Sequence, residues 1–223
     1  MPANFQSEKI QLEHLKKIVA WAYERSTFYQ KSFQRQGITP EEIQTLADFD
    51  KLPFLMREEI RETDAFEFLT LPLSSVVRVS ELDGIKKFYT RGDIQNNVEM
   101  LIHSFMAAGI LRGSIVGLEG DLSDSRLIDA LYALESIGAT VSLAKNFNVE
   151  AIVRITEDFL SFKNFYLFAP PEIGACLFCQ DEFGCRVREE NFFAEVSGGE
   201  LVITTLTAQA MPLIRYRTGL AKK

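Results

Sequence analysis

The chain has 223 residues, 47% of them hydrophobic, with 18 phenylalanines and a net charge of −7. That size gives one large domain or two small ones, with an aromatic-rich core. The negative charge argues against a nucleic-acid or anionic-membrane surface, no apolar run is long enough to span a bilayer, and three cysteines without a leading signal pattern fit a reducing cytoplasm.

Residues 8–35 read as one long helix, because Leu15, Ile18, Val19 and Ala22 recur at helical spacing and Gly37 is a good stop. Thr39-Pro40-Glu41-Glu42 carries the signature of a capping box with proline in the first turn, and Arg57–Arg61 reads as helical. Residues 74–90 predict a strand, a turn at Asp83-Gly84 and a second strand resuming at Phe88-Tyr89. Asp93 is expected to cap a helix reaching about Ala108, with Ile94, Val98, Leu101, Ile102 and Phe105 as its core face. His14 and His103 are taken as packed or surface residues rather than ligands. Strand 114–118, helix 125–137 and strand 139–143 form a parallel βαβ unit. Its strand-to-helix loop, Glu119 to Asp124, is acidic and excludes a dinucleotide cradle. Asn148 is expected to cap a short helix through Leu160, followed by a strand at 165–168.

Cys176-x-x-Cys179 with Cys185 has the spacing of a three-thiolate zinc site, but no fourth ligand is evident, so unpaired thiols are the reading taken and no metal is assigned. The segment Glu200–Thr207 after Gly198-Gly199 reads as a strand. From Pro212 a second strand is expected. Leu213, Arg215 and Arg217 point one way on it, and Ile214, Tyr216 and Thr218 the other. Two arginines on one face suit a phosphate or carboxylate, the alternative being a solvated basic face.

The stretch GELVITTLTAQAMPLIRYRTG, residues 199–219, resembles the end of the large domain in phenylacetate-CoA ligases and related adenylate-forming (AMP-dependent) acyl-CoA synthetases. FYQKSFQRQGITPEEIQTLADFDKLPF, residues 28–54, resembles their N-terminal scaffold. Phe168-Ala169-Pro170-Pro171-Glu172 is similar to the family's Tyr-Gly-x-Ser/Thr-Glu motif, in which the aromatic lies against adenine and the glutamate helps hold magnesium. The resemblance implies an α/β fold: a compacted large (N-terminal) domain of an adenylate-forming enzyme, with parallel βαβ units, a β-rich C-terminal part and no small C-terminal domain. Its regions would be 1–73 (helical), 74–166 (α/β sheet) and 167–223 (β-rich), as one compact unit. It further implies ATP or AMP with magnesium, and CoA, as cofactors. Glu172 takes the catalytic role, and Phe168, Arg215, Tyr216, Arg217 and Thr218 take the cofactor-binding roles.

Three features depart from that pattern. Between Ser80 and Thr90, where the family has a Ser/Thr/Gly-rich phosphate loop, there is one glycine and two acids, Glu81 and Asp83, with Lys86 and Lys87 as the cations. Leu220 stands where the family has an Asp that accepts the ribose hydroxyls. A long segment before the 168–172 motif is mostly absent. The expectation is therefore a non-catalytic relative that binds a small carboxylate, a nucleotide or a protein partner, as a homodimer or a heteromeric subunit. Two alternatives stay open: a ligase completed by a C-terminal domain in trans, and a structural protein with no pocket.

Overall fold

The structure, a computed structural model, describes residues 2–144, 147–163, 165–174, 177–180 and 184–221; for 2–7, 177–180 and 184–186 it describes the backbone alone. In chain order the helices are α1 (Pro2–Arg25), α2 (Thr27–Gln36), α3 (Leu46–Phe49), α4 (Arg57–Glu62), α5 (Ala65–Phe68), α6 (Arg91–Ala107) and α7 (Ser125–Ile137). The strands are β1 (Arg78–Leu82), β2 (Ile85–Tyr89), β3 (Ile115–Glu119), β4 (Thr140–Ser142), β5 (Ala151–Thr156), β6 (Phe159–Phe162), β7 (Phe165–Phe168), β8 (Leu177–Gln180), β9 (Gly184–Val187), β10 (Phe192–Ser197), β11 (Glu200–Thr205) and β12 (Tyr216–Ala221).

The chain divides into two compact units that do not follow chain order. The first joins Met1–Val77, Phe88–Thr90 and Glu189–Lys223; the second holds Arg78–Lys87 and Arg91–Arg188.

In the first unit the expected stripe of Leu15, Ile18, Val19 and Ala22 is buried. The long helix expected over 8–35, however, is two helices. Ser26 leaves helical geometry at φ −102° and ψ 123°, its hydroxyl accepting from Tyr29 N and donating to the Glu67 carbonyl. A capping side chain that finds partners on both sides outweighs continuous helical periodicity. Gly37 ends α2 at φ 65°, and Thr39–Glu42 forms the expected capping box around a single 3₁₀ turn. The second half of this unit is an antiparallel sheet in the order β10-β11-β12. The strand expected from Pro212 begins only at Tyr216, because Arg215 takes a left-handed φ of 51° and breaks the alternation. The 212–215 segment is held instead by side chains. Tyr29 Oη donates to the Pro212 carbonyl and accepts from Ile214 N, and Thr204 and Thr205 hydroxyls accept from Arg215 N and Leu213 N.

The second unit is built on a seven-stranded sheet in the order β4-β3-β5-β6-β7-β8-β9. β3 pairs parallel with β4 and β5, which confirms the βαβ unit, and the remaining strands run antiparallel. Leu101 and Phe105 of α6 and Leu127, Ala130 and Leu134 of α7 pack on one face of it against Val116, Val153, Leu160 and Phe162. Phe105 meets Phe162 edge-on at 4.8 Å. The helix expected over 148–160 is the hairpin β5–β6. Ile152, Val153, Ile155 and Thr156 are β-branched, and Glu157 at φ 51° turns the chain with Asp158. The hairpin expected over 78–89 forms, with Asp83 and Gly84 at φ 50° and 77°, the pair of positive values a tight two-residue turn requires. The helix expected from Asp93 starts at Arg91.

Candidate functional site

The second unit holds one turn whose make-up invites a functional reading, Phe168 to Gly174. β7 delivers Phe168, and Pro170-Pro171 prevents the strand from continuing. The chain then folds back, with Ile173 N and Gly174 N both donating to the Pro170 carbonyl. Two buried cations hold the two ends of this turn. Arg126 Nη1 donates to the Ala169 carbonyl at 2.8 Å, and Lys87 Nζ donates to the Ile173 carbonyl at 2.9 Å. Glu172, between them, is 3% exposed, and Phe168 is 1% exposed with its ring 5.4 Å from Phe159.

Beneath the turn lies a polar floor that hydrophobic periodicity did not forecast. Arg78 Nη1 donates to Asp129 Oδ1 at 2.5 Å and to Ser125 Oγ at 2.8 Å, and Asn97 Nδ2 donates to Asp129 Oδ2 at 3.0 Å. Arg126 donates in addition to Asp124 and to the Glu157 carbonyl. Burial pushes the Asp129 carboxyl above its ordinary value, outweighing the opposing pull of Arg78, Asn97 and Lys87. The expected core face of α6 is accordingly rotated. Asp93, Asn97 and Ser104 are buried beside Leu101 and Phe105, while Ile94, Val98 and Ile102 are half-buried. A signal for this floor did exist. Asp93 and Asn97 on α6, and Ser125 and Asp129 on α7, are polar pairs at i, i+4.

The 78–87 hairpin turns its cations inward. Arg78 and Lys87 face Asp129 and the Ile173 carbonyl, and Lys87 is buried. What it shows to solvent is Glu81, Asp83 and Lys86, with Lys86 3.7 Å from Glu81. The cavity between the floor and the turn measures about 10 Å³ and is lined by Asn97, Leu101, Arg126, Asp129, Leu160, Ala169 and Gly174. That is room for one water, not for a nucleotide.

The remaining predicted site residues lie in the first unit, where they are engaged by their own surroundings. Arg215 is 4% exposed. Its Nε and Nη2 donate to Glu195, its Nη1 to the carbonyls of Asp50 and Leu52, and its Nη2 also reaches Asp50 Oδ1. Phe54 covers the guanidinium at 4.2 Å. Arg217 Nε donates to Glu200 at 2.8 Å, Thr218 Oγ1 donates to the Leu201 carbonyl, and Tyr216 is buried opposite Ile203. Arg215 and Arg217 therefore close the β-sheet against residues 50–55, Leu55 N donating to the Arg215 carbonyl and Arg217 N to the Leu55 carbonyl. His14 and His103 are exposed. Among the described residues no group of three or more His, Cys, Asp or Glu side chains could hold a metal. Cys176 and the side chains of Cys179 and Cys185 lie outside the described residues. No helix among the described residues is long and apolar enough to cross a membrane.

No family model matches the chain. It is similar to phenylacetate-CoA ligases from Aromatoleum evansii and Thermus thermophilus, each 25% identical over 94% of this chain and 64% of the relative, and from Escherichia coli K12, 22% identical over 95% and 65%. The chain thus spans 64% of the length of the first two relatives. The match to the Aromatoleum protein runs over 285 positions, more than the 223 residues present, so the relative carries interior residues that this chain lacks. The fold is similar to that of part of 2-hydroxyisobutyryl-CoA ligase. The structure of that enzyme in its postadenylation state with R3-HIB-AMP superposes with a TM-score of 0.73 at 16% identity, covering 95% of this chain and 62% of that one. An open conformation with 2-HIB-AMP and CoA gives 0.71 at 14% identity, covering 95% and 68%. The expected α/β fold of an adenylate-forming large domain, with its resemblance to phenylacetate-CoA ligases, stands.

Proposed function

Taking the chain as a relative of the phenylacetate-CoA ligases, we propose that it is a non-catalytic member of that group, retaining affinity for a small carboxylate or nucleotide while not adenylating a carboxylate on its own. The observation that supports this reading is the 78–87 hairpin. Adenylation needs a triphosphate surrounded by donors. Here the two inward cations are already bonded to Asp129 and to the Ile173 carbonyl, and the solvent-facing charges are two acids and one lysine. Leu220 offers no acceptor to a ribose, and Arg215 and Arg217 are engaged inside the first unit. Phe168 and Glu172 keep only the residue types of the family's nucleotide motif, both being buried, while Arg215, Tyr216, Arg217 and Thr218 act as scaffold.

The test is carboxylate-dependent exchange of labelled pyrophosphate into ATP, over a panel of aryl and short acyl acids. No exchange above background is the expected result. Exchange that disappears in Glu172→Ala overturns the proposal and makes the chain a divergent ligase. The retained Glu172 also favours a second reading, a ligase completed by a small domain in trans; exchange appearing only when such a domain is added supports that one.

The chain is also expected to work as a homodimer or beside a protein partner. Phe66, Leu73 and Val77 of the first unit are each more than half exposed and offer apolar side chains to such a partner. Light scattering that gives a monomer at high concentration, with no partner recovered by pull-down, rules this out.

A further inference from the structure

We propose that Cys179 and Cys185 are a modification site, a pair of thiols that a small disulfide of the glutathione class oxidises reversibly to one bond across the β8–β9 hairpin. Their place in the sheet carries the argument. β8 and β9 run antiparallel, and Cys179 stands directly opposite Cys185, with Phe178 opposite Arg186 and Gln180 opposite Gly184. Directly opposed residues of an antiparallel pair share a face, at Cα separations of about 4.5 or about 5.5 Å according to their hydrogen bonding. A disulfide spans Cα separations of about 4.4–6.8 Å, so both kinds of pair fall inside its range. Spacing alone does not single out this pair, since Cys176 is nearer to Cys179 along the chain. The strand register does.

The register also gives the face. Arg154 is opposite Ser161, Ser161 opposite Tyr166, Tyr166 opposite Cys179 and Cys179 opposite Cys185, so these five residues form one row on one side of the sheet. That side is not the core side. Leu160 and Leu167, each one position from this row, pack with Leu101, Phe105 and Leu134 of the two helices, whereas Arg154 is exposed and Tyr166 is 40% exposed. A cysteine used for packing behaves as a small hydrophobe and belongs on the apolar side of a sheet. Two cysteines opposed on the other side point to a chemical role. The step balances as thiol–disulfide exchange. One thiolate attacks the small disulfide and expels a small thiol, leaving a mixed disulfide on the chain. The second thiolate attacks the cysteine sulfur of that intermediate and expels the other small thiol. The two electrons and two protons that the chain loses end on the two small thiols.

The experiment equilibrates the full chain with reduced and oxidised glutathione, quenches it with a thiol-alkylating reagent and maps the products after cleavage at glutamate, which separates residues 173–182 from 183–189. The expected product joins these two peptides through Cys179 and Cys185, with Cys176 alkylated, and the intact chain has lost two hydrogens and carries no glutathione. Raising total glutathione about tenfold, at a constant ratio of reduced squared to oxidised, should leave the oxidised fraction unchanged, the signature of a bond within one chain. Cys176→Ser should keep that fraction and Cys185→Ser should abolish it, each with an unchanged dichroism spectrum. If Cys185→Ser does not fold, the peptide map of the unaltered chain decides alone. A bond made by Cys176, a bond between two chains, a stable mixed disulfide with glutathione, or three cysteines alkylated at every ratio overturns the proposal.

Discussion

Replacing Arg215 with alanine is expected to destabilise the first unit by about 3–5 kcal/mol, the range for removing one partner of a buried ion pair. The loss has three sources. Glu195, whose side chain is 15% exposed, keeps its charge without its cation. The carbonyls of Asp50 and Leu52 lose their shared donor. The face of Phe54 loses the guanidinium stacked on it. Arg215→Lys should lose less, since it keeps the charge, but an ammonium cannot serve Glu195 and both carbonyls in the planar fork that arginine provides. The measurement is urea denaturation followed by the fluorescence of Trp21, the single tryptophan, which lies in this unit. An Arg215→Ala midpoint matching the parent protein would show that Glu195 finds solvent without cost, and the structural role assigned to Arg215 would fall.

A comparable effect is expected at Asp129. In Asp129→Ala the guanidinium of Arg78, its side chain 15% exposed, loses its buried counter-charge, again at about 3–5 kcal/mol. Removing both charges together, as Arg78→Met with Asp129→Leu, should restore most of that loss, because two apolar side chains need no mutual compensation. Hydrogen exchange of the α7 amides reads the outcome locally. If the double variant is no more protected than the single one, the floor depends on something other than this pair. Asp129→Asn adds a pH signature. The Asp129 carboxyl is raised above its ordinary value of 3.8. The native state therefore holds that proton more tightly than the unfolded chain does. The stability this contributes is complete below 3.8 and is lost as pH rises through the folded value. Asparagine does not titrate, so the stability of Asp129→Asn relative to the parent should improve as pH climbs from below 3.8 toward neutrality. Other carboxylates titrate alike in both proteins and cancel in the difference. A difference that is flat with pH would mean that burial does not dominate at Asp129.

Sequence pattern carried the scaffold well where local chemistry and packing agreed. Helix 125–137 with Gly138 as its stop, the parallel strands flanking it and the Asp83-Gly84 turn were all readable, because cap, periodicity and turn residue pointed the same way. The failures have local causes. Ser26 interrupts a helix whose apolar stripe continues past it, since a hydroxyl can trade helical geometry for a cap. At 151–162 the apolar residues fit both periods, and β-branching decides. Arg215 was read as a strand residue presenting a charge, but a left-handed φ at a non-glycine residue leaves no mark in hydrophobic patterning. The floor of Arg78, Asn97, Arg126 and Asp129 was missed because its members come from three separate segments and pair only in the folded chain.

The interleaving of the two units has a consequence for how the protein is made. Tyr29 is hydrogen-bonded to Pro212, 183 positions later, and Arg215 to carbonyls at 50 and 52. The first 77 residues therefore leave the ribosome without the strands that complete their unit. At roughly 5–20 residues per second, they wait roughly 6–20 s while the intervening segment is translated. Over that interval Leu15, Ile18, Phe33 and Phe49 have no finished core to enter, whereas residues 91–188 emerge as one continuous stretch able to collapse on its own. Synthesis thus delivers residues 91–188 before it completes the unit that the first 77 residues belong to, so the expected order is second unit first.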